Sequence, residues 1–245
     1  MLSASVRQWA AWAPGLAERA DWETWCRQPR PLGTDGSPAL PFLPPLLRRR
    51  CSRLTRLALQ VAFACCPTEE VGAVSTVFAS RHGDSTTNIA LLQCLARRQP
   101  LSPTHFSHSV HNAPAGLFSI AAANRRPSSS LAAGRDTFLA GFLESLLLLH
   151  RRPESAVLLV TADEPVPPPF DAFDDEHPAA YAVALLLANG NDLALDFHGP
   201  RRERGDGPWP QAVEFLRWFL SGERSVTLGV ERGQWTWTRT TRARA

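Results

Sequence analysis

Seven histidines, five cysteines and a scatter of serines are the residues of this chain with chemistry to offer. His105, His108 and His111 recur at every third position, a spacing that would stack imidazoles on one helical face as metal ligands. Pro103 makes that segment read as a loop entering a helix, so no metal site is assigned. Cys26, Cys51, Cys65, Cys66 and Cys94 form no CxxC pair and are odd in number. That pattern argues against a disulfide scaffold or a zinc site and for a reducing compartment, the cytoplasm. No GxSxG elbow aims a serine as nucleophile, and Ser128–Ser130 has no neighbour to activate it. Gly72 and Gly83 stand alone rather than in a phosphate-cradling loop, and His82-Gly83-Asp84 reads as a polar turn after a strand. Trp209, Trp218, Trp235 and Trp237 could stack sugars or bases. Trp235 and Trp237 alternate with threonines, however, and so read as one strand face buried at an interface. No cofactor is implied.

The elements that would position these groups follow from composition and period. Of 245 residues, 44% are hydrophobic and 20% charged, enough for one sizeable core. All 26 basic residues are arginine, yet the net charge is only +3, without the dense basic stripe of a nucleic-acid binder. The apolar runs Leu146–Leu149 and Ala182–Ala188 are far too short to cross a bilayer, so no stable membrane insertion is expected.

The Trp-rich start reads as a strand, a turn at Pro14-Gly15 and a helix from about Asp21. Residues 29–45 are Pro- and Gly-rich and read as a loop. Helical periodicity runs from Leu46 to Cys66 and again through Leu91, Leu92 and Leu95. It returns over Asn112–Asn124, Arg135–His150 and Trp209–Leu220. Buried-type strands are read at Ala73–Ser80, Ser128–Ala133 and Ala156–Thr161. Ala180–Ala188 and Leu193–Phe197 flank Asn189-Gly190-Asn191 and predict a hairpin, as do Ser225–Val230 and Gln234–Thr240. The alternation predicts a layered α/β fold in a single domain over 1–245, with 200–245 as a C-terminal extension.

The stretch from Leu101 onward carries Ser102-Pro103, Asn112, Ala115-Gly116 and Pro127 in the order and spacing that resemble the middle of a β-ketoacyl synthase. A nearer resemblance is to the small chain length factors of aryl polyene pathways. It is carried by Ala13-Pro14-Gly15-Leu16, Arg48-Arg49-Arg50-Cys51-Ser52-Arg53-Leu54, Phe78-Ala79-Ser80-Arg81-His82-Gly83 and Ser109-Val110-His111-Asn112. The resemblance implies a thiolase-like layered fold, mainly the N-terminal half of a ketosynthase, with a mixed sheet and helices on both faces.

It also implies a chemistry this chain lacks. Ketosynthases hold a cysteine thiolate at a helix N-terminus, where the dipole favours the anion. The gapless register puts Arg135 there, between Gly134 and Asp136; Arg135–Asp136 reads as a structural cap, and no cysteine follows Cys94. The family's two catalytic histidines have no counterpart pattern, and the chain stops short of a full-length enzyme. The implied function is a non-catalytic subunit, a chain length factor paired with a full-length ketosynthase as a heterodimer. It would shape the acyl or polyene tunnel in aryl polyene or type II fatty acid or polyketide-like biosynthesis. Val110, Ala113, Pro114, Leu117, Phe118 and Phe138 are the expected tunnel residues. His111, Asn112, Ser129, Leu131 and Ala133 are the expected interface residues, with the Ser128–Ala133 strand pairing edge to edge with the partner's. Two alternatives stay open: an acyltransferase using an unrecognised nucleophile, and a scaffold recruiting acidic acyl carrier protein through Arg48–Arg50 and Arg53.

Overall fold

The computed structural model describes residues 2–173, 178–199, 209–229 and 233–240. The Trp-rich start forms strand β1 (Leu2–Trp12) and helix α1 (Arg19–Arg27). Asp21 opens α1 by accepting the Glu18 and Ala17 amides at 2.9 and 3.0 Å. The periodicity read as one helix from Leu46 to Cys66 is two, α2 (Pro45–Arg49) and α3 (Arg53–Cys65). Ser52 breaks them: its backbone is extended and its hydroxyl accepts the Thr55 amide, an N-cap in the middle of an apolar pattern.

Strand β2 (Ser75–Ala79) is buried throughout and leads through the Ser80–Asp84 turn into α4 (Ser85–Ala96), which Asp84 caps. Next comes α5 (Pro103–Ser109), a helix where a loop was expected: Pro103 occupies its first turn and Ser102 caps it. Helix α6 (Ala113–Ala121), strand β3 (Ser128–Leu131), helix α7 (Thr137–Arg151) and strand β4 (Val157–Asp163) follow as predicted.

The predicted hairpin at Asn189-Gly190-Asn191 is instead one strand, β5 (Tyr181–Phe197). β5 keeps β1 along one edge for its whole length, with Ala4 opposite Leu193 and Ser5 opposite Ala188. Residues 189–192 therefore bulge between two paired halves, and a side chain at Gly190 would collide with Ser5. Helix α8 (Gln211–Ser221) and the antiparallel pair β6 (Ser225–Leu228) and β7 (Trp235–Arg239) complete the described chain, with Val230 outside it.

The seven strands make one mixed sheet in the order β3-β2-β4-β5-β7-β6, with β1 on β5. β3, β2 and β4 run parallel; β5 is antiparallel to β4, β1 and β7. Strand alternation builds two cores. Val157, Leu159, Val183 and Leu185 face α1, α7 and α8, whereas Leu158, Val160, Ala182 and Leu186 face α3 and α6. α7 lies hard against the sheet at Gly141, where an added Cβ would stand 2.9 Å from Leu159 and 3.1 Å from Ala79. Trp218 and Trp237 belong to the first of these cores, buried against Phe215, so they anchor this chain's own interior rather than an interface. Trp209 and Trp235 are partly buried on the same cluster.

Candidate functional site

Polar groups converge where parallel strands β2 and β4 end, the usual crevice of an α/β sheet. Asp163, the last residue of β4, gathers the loop that leaves β2. Its carboxylate accepts the Ser80 hydroxyl at 2.8 Å, the Arg81 amide at 2.9 Å, the His82 amide at 3.2 Å and the Tyr181 hydroxyl at 3.4 Å. Ser80 in turn accepts the Gly83 amide at 2.9 Å. Burial pushes the Asp163 carboxyl above the usual carboxylate range, and those amide and hydroxyl bonds hold it back. Gly83 turns at φ +60°, and a side chain there would press on the His111 ring at 3.2 Å.

Glu164 follows, with 1% of its side chain exposed. Its carboxyl is pushed up to about 7, first by burial and then by the nearby Asp84 charge; Thr86 and Arg53 oppose the shift. Arg53 comes within 3.9 Å of Glu164 while donating to the Gly36 and Thr34 carbonyls, so it ties the Pro-rich loop to the site. It is therefore engaged, which removes it from the expected carrier-protein patch. Arg50 donates to His108 at 3.4 Å, and Arg49 is exposed.

The predicted tunnel residues divide. His111 bonds the Ser80 carbonyl at 2.9 Å, and Pro114 and His111 line a small apolar cavity with Leu54, Phe78 and Val160. With about 10 Å³ of free space it has room for little more than one water. Leu117 and Phe118 are buried behind it, Phe118 packed on Phe63 and Phe78. Ala113 is half-buried, and Val110 faces outward, 43% exposed. Asn112 is exposed at the start of α6 and makes no capping bond. Phe138 is not brought to this group: it lies across the sheet, its ring 5.1 Å from Phe215 and 6.2 Å from Trp237.

β3 is the outermost strand on its side of the sheet. Ser129 donates to Glu144 at 2.9 Å, Leu131 is half-buried, and the Ala133 amide donates to Thr137 at 3.0 Å. Arg135 and Asp136 are buried at the start of α7. Asp136 is the N-cap residue of that helix but makes no side-chain capping bond; its carboxylate accepts Gln211 at 2.8 Å and so joins α7 to α8. His105, His108 and His111 do not share a face, because α5 ends at Ser109 and His111 turns to Ser80. Among the described residues no group of three or more His, Cys, Asp or Glu is placed to hold a metal.

Four of the five thiols are held protonated. Burial pushes Cys65 up to about 12 and Cys26 and Cys66 up to about 11, and raises Cys51 as well. A nucleophilic cysteine needs the opposite shift.

Asp163 and Glu164 were missed in the sequence. Their signal was present: two acids directly follow the buried run AVLLVTA, at the end of a parallel strand.

The chain matches the family model for the β-ketoacyl synthase N-terminal domain over residues 22–238. It superposes with TM-score 0.84 and 31% identity on a chain from the structure of the ketosynthase ApeO in complex with its chain length factor ApeC from Xenorhabdus doucetiae, covering 98% of this chain and 100% of that one. The ishigamide ketosynthase/chain length factor superposes at TM-score 0.64 and 16% identity, over 80% of this chain and 67% of that one. A β-ketoacyl synthase from Burkholderia phymatum does so at TM-score 0.61 and 12% identity, over 83% and 66%. The latter two likenesses speak to the fold alone. No curated protein sequence matches the chain. With the family model spanning all but its ends, and a relative aligned along its whole length, the chain belongs to the β-ketoacyl synthase family as a protein built on that family's N-terminal domain.

Proposed function

We propose that this protein is a non-catalytic chain length factor: it pairs with a full-length ketosynthase in the cytoplasm and forms one wall of the tunnel that holds the growing acyl or polyene chain. The observation that carries this reading is the end-to-end match to a chain of a ketosynthase–chain length factor complex. Two features support it. Arg135 stands where the family resemblance expects the nucleophile, and Cys26, Cys51, Cys65 and Cys66 all have raised pKa values. The outward side chains of Leu92, Leu95, Phe106 and Val110 on or beside α4 and α5 are apolar surface that a partner would cover. β3 offers an edge for pairing with the partner's strand.

In this reading Val110 and Ala113 face the tunnel across the heterodimer, and Pro114, Leu117 and Phe118 back them. The cavity beside His111 and Pro114 is water-sized in this chain alone, so the tunnel forms only with the partner. The experiment is co-purification with the ketosynthase, followed by product mass for Val110→Trp and Ala113→Trp. The expected result is an intact complex that makes a shorter product, because a closed apolar cavity does not tolerate added volume. An intact complex with unchanged product length refutes the tunnel assignment, and failure to pair refutes the chain length factor reading itself. Acyl carrier protein, being acidic, would meet the exposed Arg49 and Arg50 beside the outward Leu46.

A further inference from the structure

At the other end of the parallel strands, where β2 and β4 begin, lies a cleft of about 410 Å³. Ala73, Val74 and Ala156 contribute its small apolar lining. Its walls are charged and come from separate elements: Arg7 on β1, Glu70 after α3, Arg126 ahead of β3, and Arg152 and Glu154 after α7. Arg7 is spent on Glu70 in a two-pronged pair at 2.7 and 2.9 Å.

Arg126 and Arg152 differ from Arg7. Neither guanidinium has a partner among the described residues, although the backbone beneath each is fixed. The Arg126 amide donates to Asn124 at 2.8 Å. Asn124 is itself buried and donates to the Val71 and Val74 carbonyls at 2.8 and 2.9 Å. The Arg152 amide closes α7 on the Leu148 and Leu149 carbonyls at 3.1 and 3.2 Å. Two uncommitted guanidinium forks on rigid mounts at one small cleft make a receptor for a compact oxyanion, whose geometry they match in pairs. Ser155 also lines the cleft, with a hydroxyl that can donate. Among the described residues no aromatic ring lines the cleft to stack on a planar ligand. Among the described residues Glu154 is the one carboxylate of the lining outside the Arg7–Glu70 pair, and it weakens anion binding without cancelling the two arginines.

We infer that this cleft binds a small phosphate-bearing solute through Arg126 and Arg152, with Ser155 as a further donor. The inference does not depend on the chain length factor reading, since the cleft lies at the opposite end of the strands from the Asp163 site. The test is calorimetric titration of the purified chain with inorganic phosphate in low-salt chloride buffer. One saturable site is expected. Arg126→Ala and Arg152→Ala should each weaken it about tenfold, the scale of losing a hydrogen bond to a charged group. Glu154→Gln should tighten it, a gain that loss of folding cannot mimic. Arg49→Ala, on an exposed arginine of α2, should leave it unchanged. Three results overturn the inference: no saturation by phosphate, survival of binding in the Arg126→Ala/Arg152→Ala double variant, or an equal loss in Arg49→Ala. Capture of the chain by phosphatidic acid vesicles that soluble phosphate does not compete away would assign the arginines to a lipid headgroup and overturn the solute.

Discussion

Replacing Glu164 by glutamine should remove a pH dependence of stability that this one side chain imposes. Glu164 titrates at about 7 in the folded chain against an ordinary 4.5. Below both values the group is protonated folded or unfolded and contributes nothing. Between them the folded protein binds more protons than the unfolded chain, so stability falls as pH rises. Above about 7 the full penalty is in place, about 3 kcal/mol for a shift of this size. Glutamine keeps the volume and does not titrate. It forgoes attraction to Arg53, but at 3.9 Å and with 32% of the Arg53 side chain exposed, that ion pair is worth roughly 1 kcal/mol or less. That attraction is already contained in the value of about 7, so Glu164→Gln should exceed the parent by less than about 1 kcal/mol at pH 5 and by about 3 kcal/mol at pH 8. Urea unfolding followed by tryptophan fluorescence at pH 5, 6, 7 and 8 gives the difference curve. A flat difference curve, or a variant weaker than the parent at pH 8, would refute the reasoning.

Other substitutions test the geometry around the two sites. Gly141→Ala gains about 1 kcal/mol of helix propensity, but its Cβ would meet Leu159 at 2.9 Å. The net should be a destabilisation of about 1–2 kcal/mol, and a rise in melting temperature would show that α7 does not lie so close to the sheet. Asp163→Ala leaves the Ser80 hydroxyl and the Arg81 and His82 amides without their acceptor. It should cost about 3 kcal/mol or more and raise amide exchange specifically in residues 81–84; protection as in the parent would refute the clamp. A thiol at about 12 is ionised about a thousandfold less at pH 8 than an ordinary one. Cys65 should thus escape alkylation in the native chain and react only after unfolding, and native-state labelling at Cys65 by peptide mass would contradict its burial.

What the sequence could reveal depended on the range of the interaction involved. Hydrophobic period located β2, β4 and α7, because buried strands and an amphipathic helix are stamped into consecutive residues. Period tells which face of α7 is apolar but not which side of the sheet the helix occupies. Phe138 was therefore assigned to a tunnel on the side of α6, whereas α7 packs it against Phe215 and Trp237. Asn189-Gly190-Asn191 carries turn chemistry, yet β1 pairs with β5 on both sides of it, and long-range pairing overrode the local preference. Ser52 was legible as a cap in principle, but lay inside an apolar pattern that continued past it. Asp163 and Ser80 are 83 residues apart, and nothing in either segment names the other.

In the proposed reading α6 belongs to a wall that must resist pressure from a growing chain, and it is fastened at both ends and along its buried side. Just ahead of its start, the His111 ring sits over Gly83 and bonds the Ser80 carbonyl, which places it on the loop that Asp163 clamps. Beyond its end, Asn124 is buried and bonds two carbonyls that precede β2. On its inner face Phe118 is 1% exposed between Phe63 and Phe78. A close-packed interior transmits a volume change instead of absorbing it. In the proposed reading the shape of this domain does not depend on the position where the family resemblance expects the nucleophile: the Asp163 clamp, the Asn124 bridge and the phenylalanine stack do not involve Arg135. Chemistry and shape are carried by different side chains in this domain, so one can be lost while the other is kept.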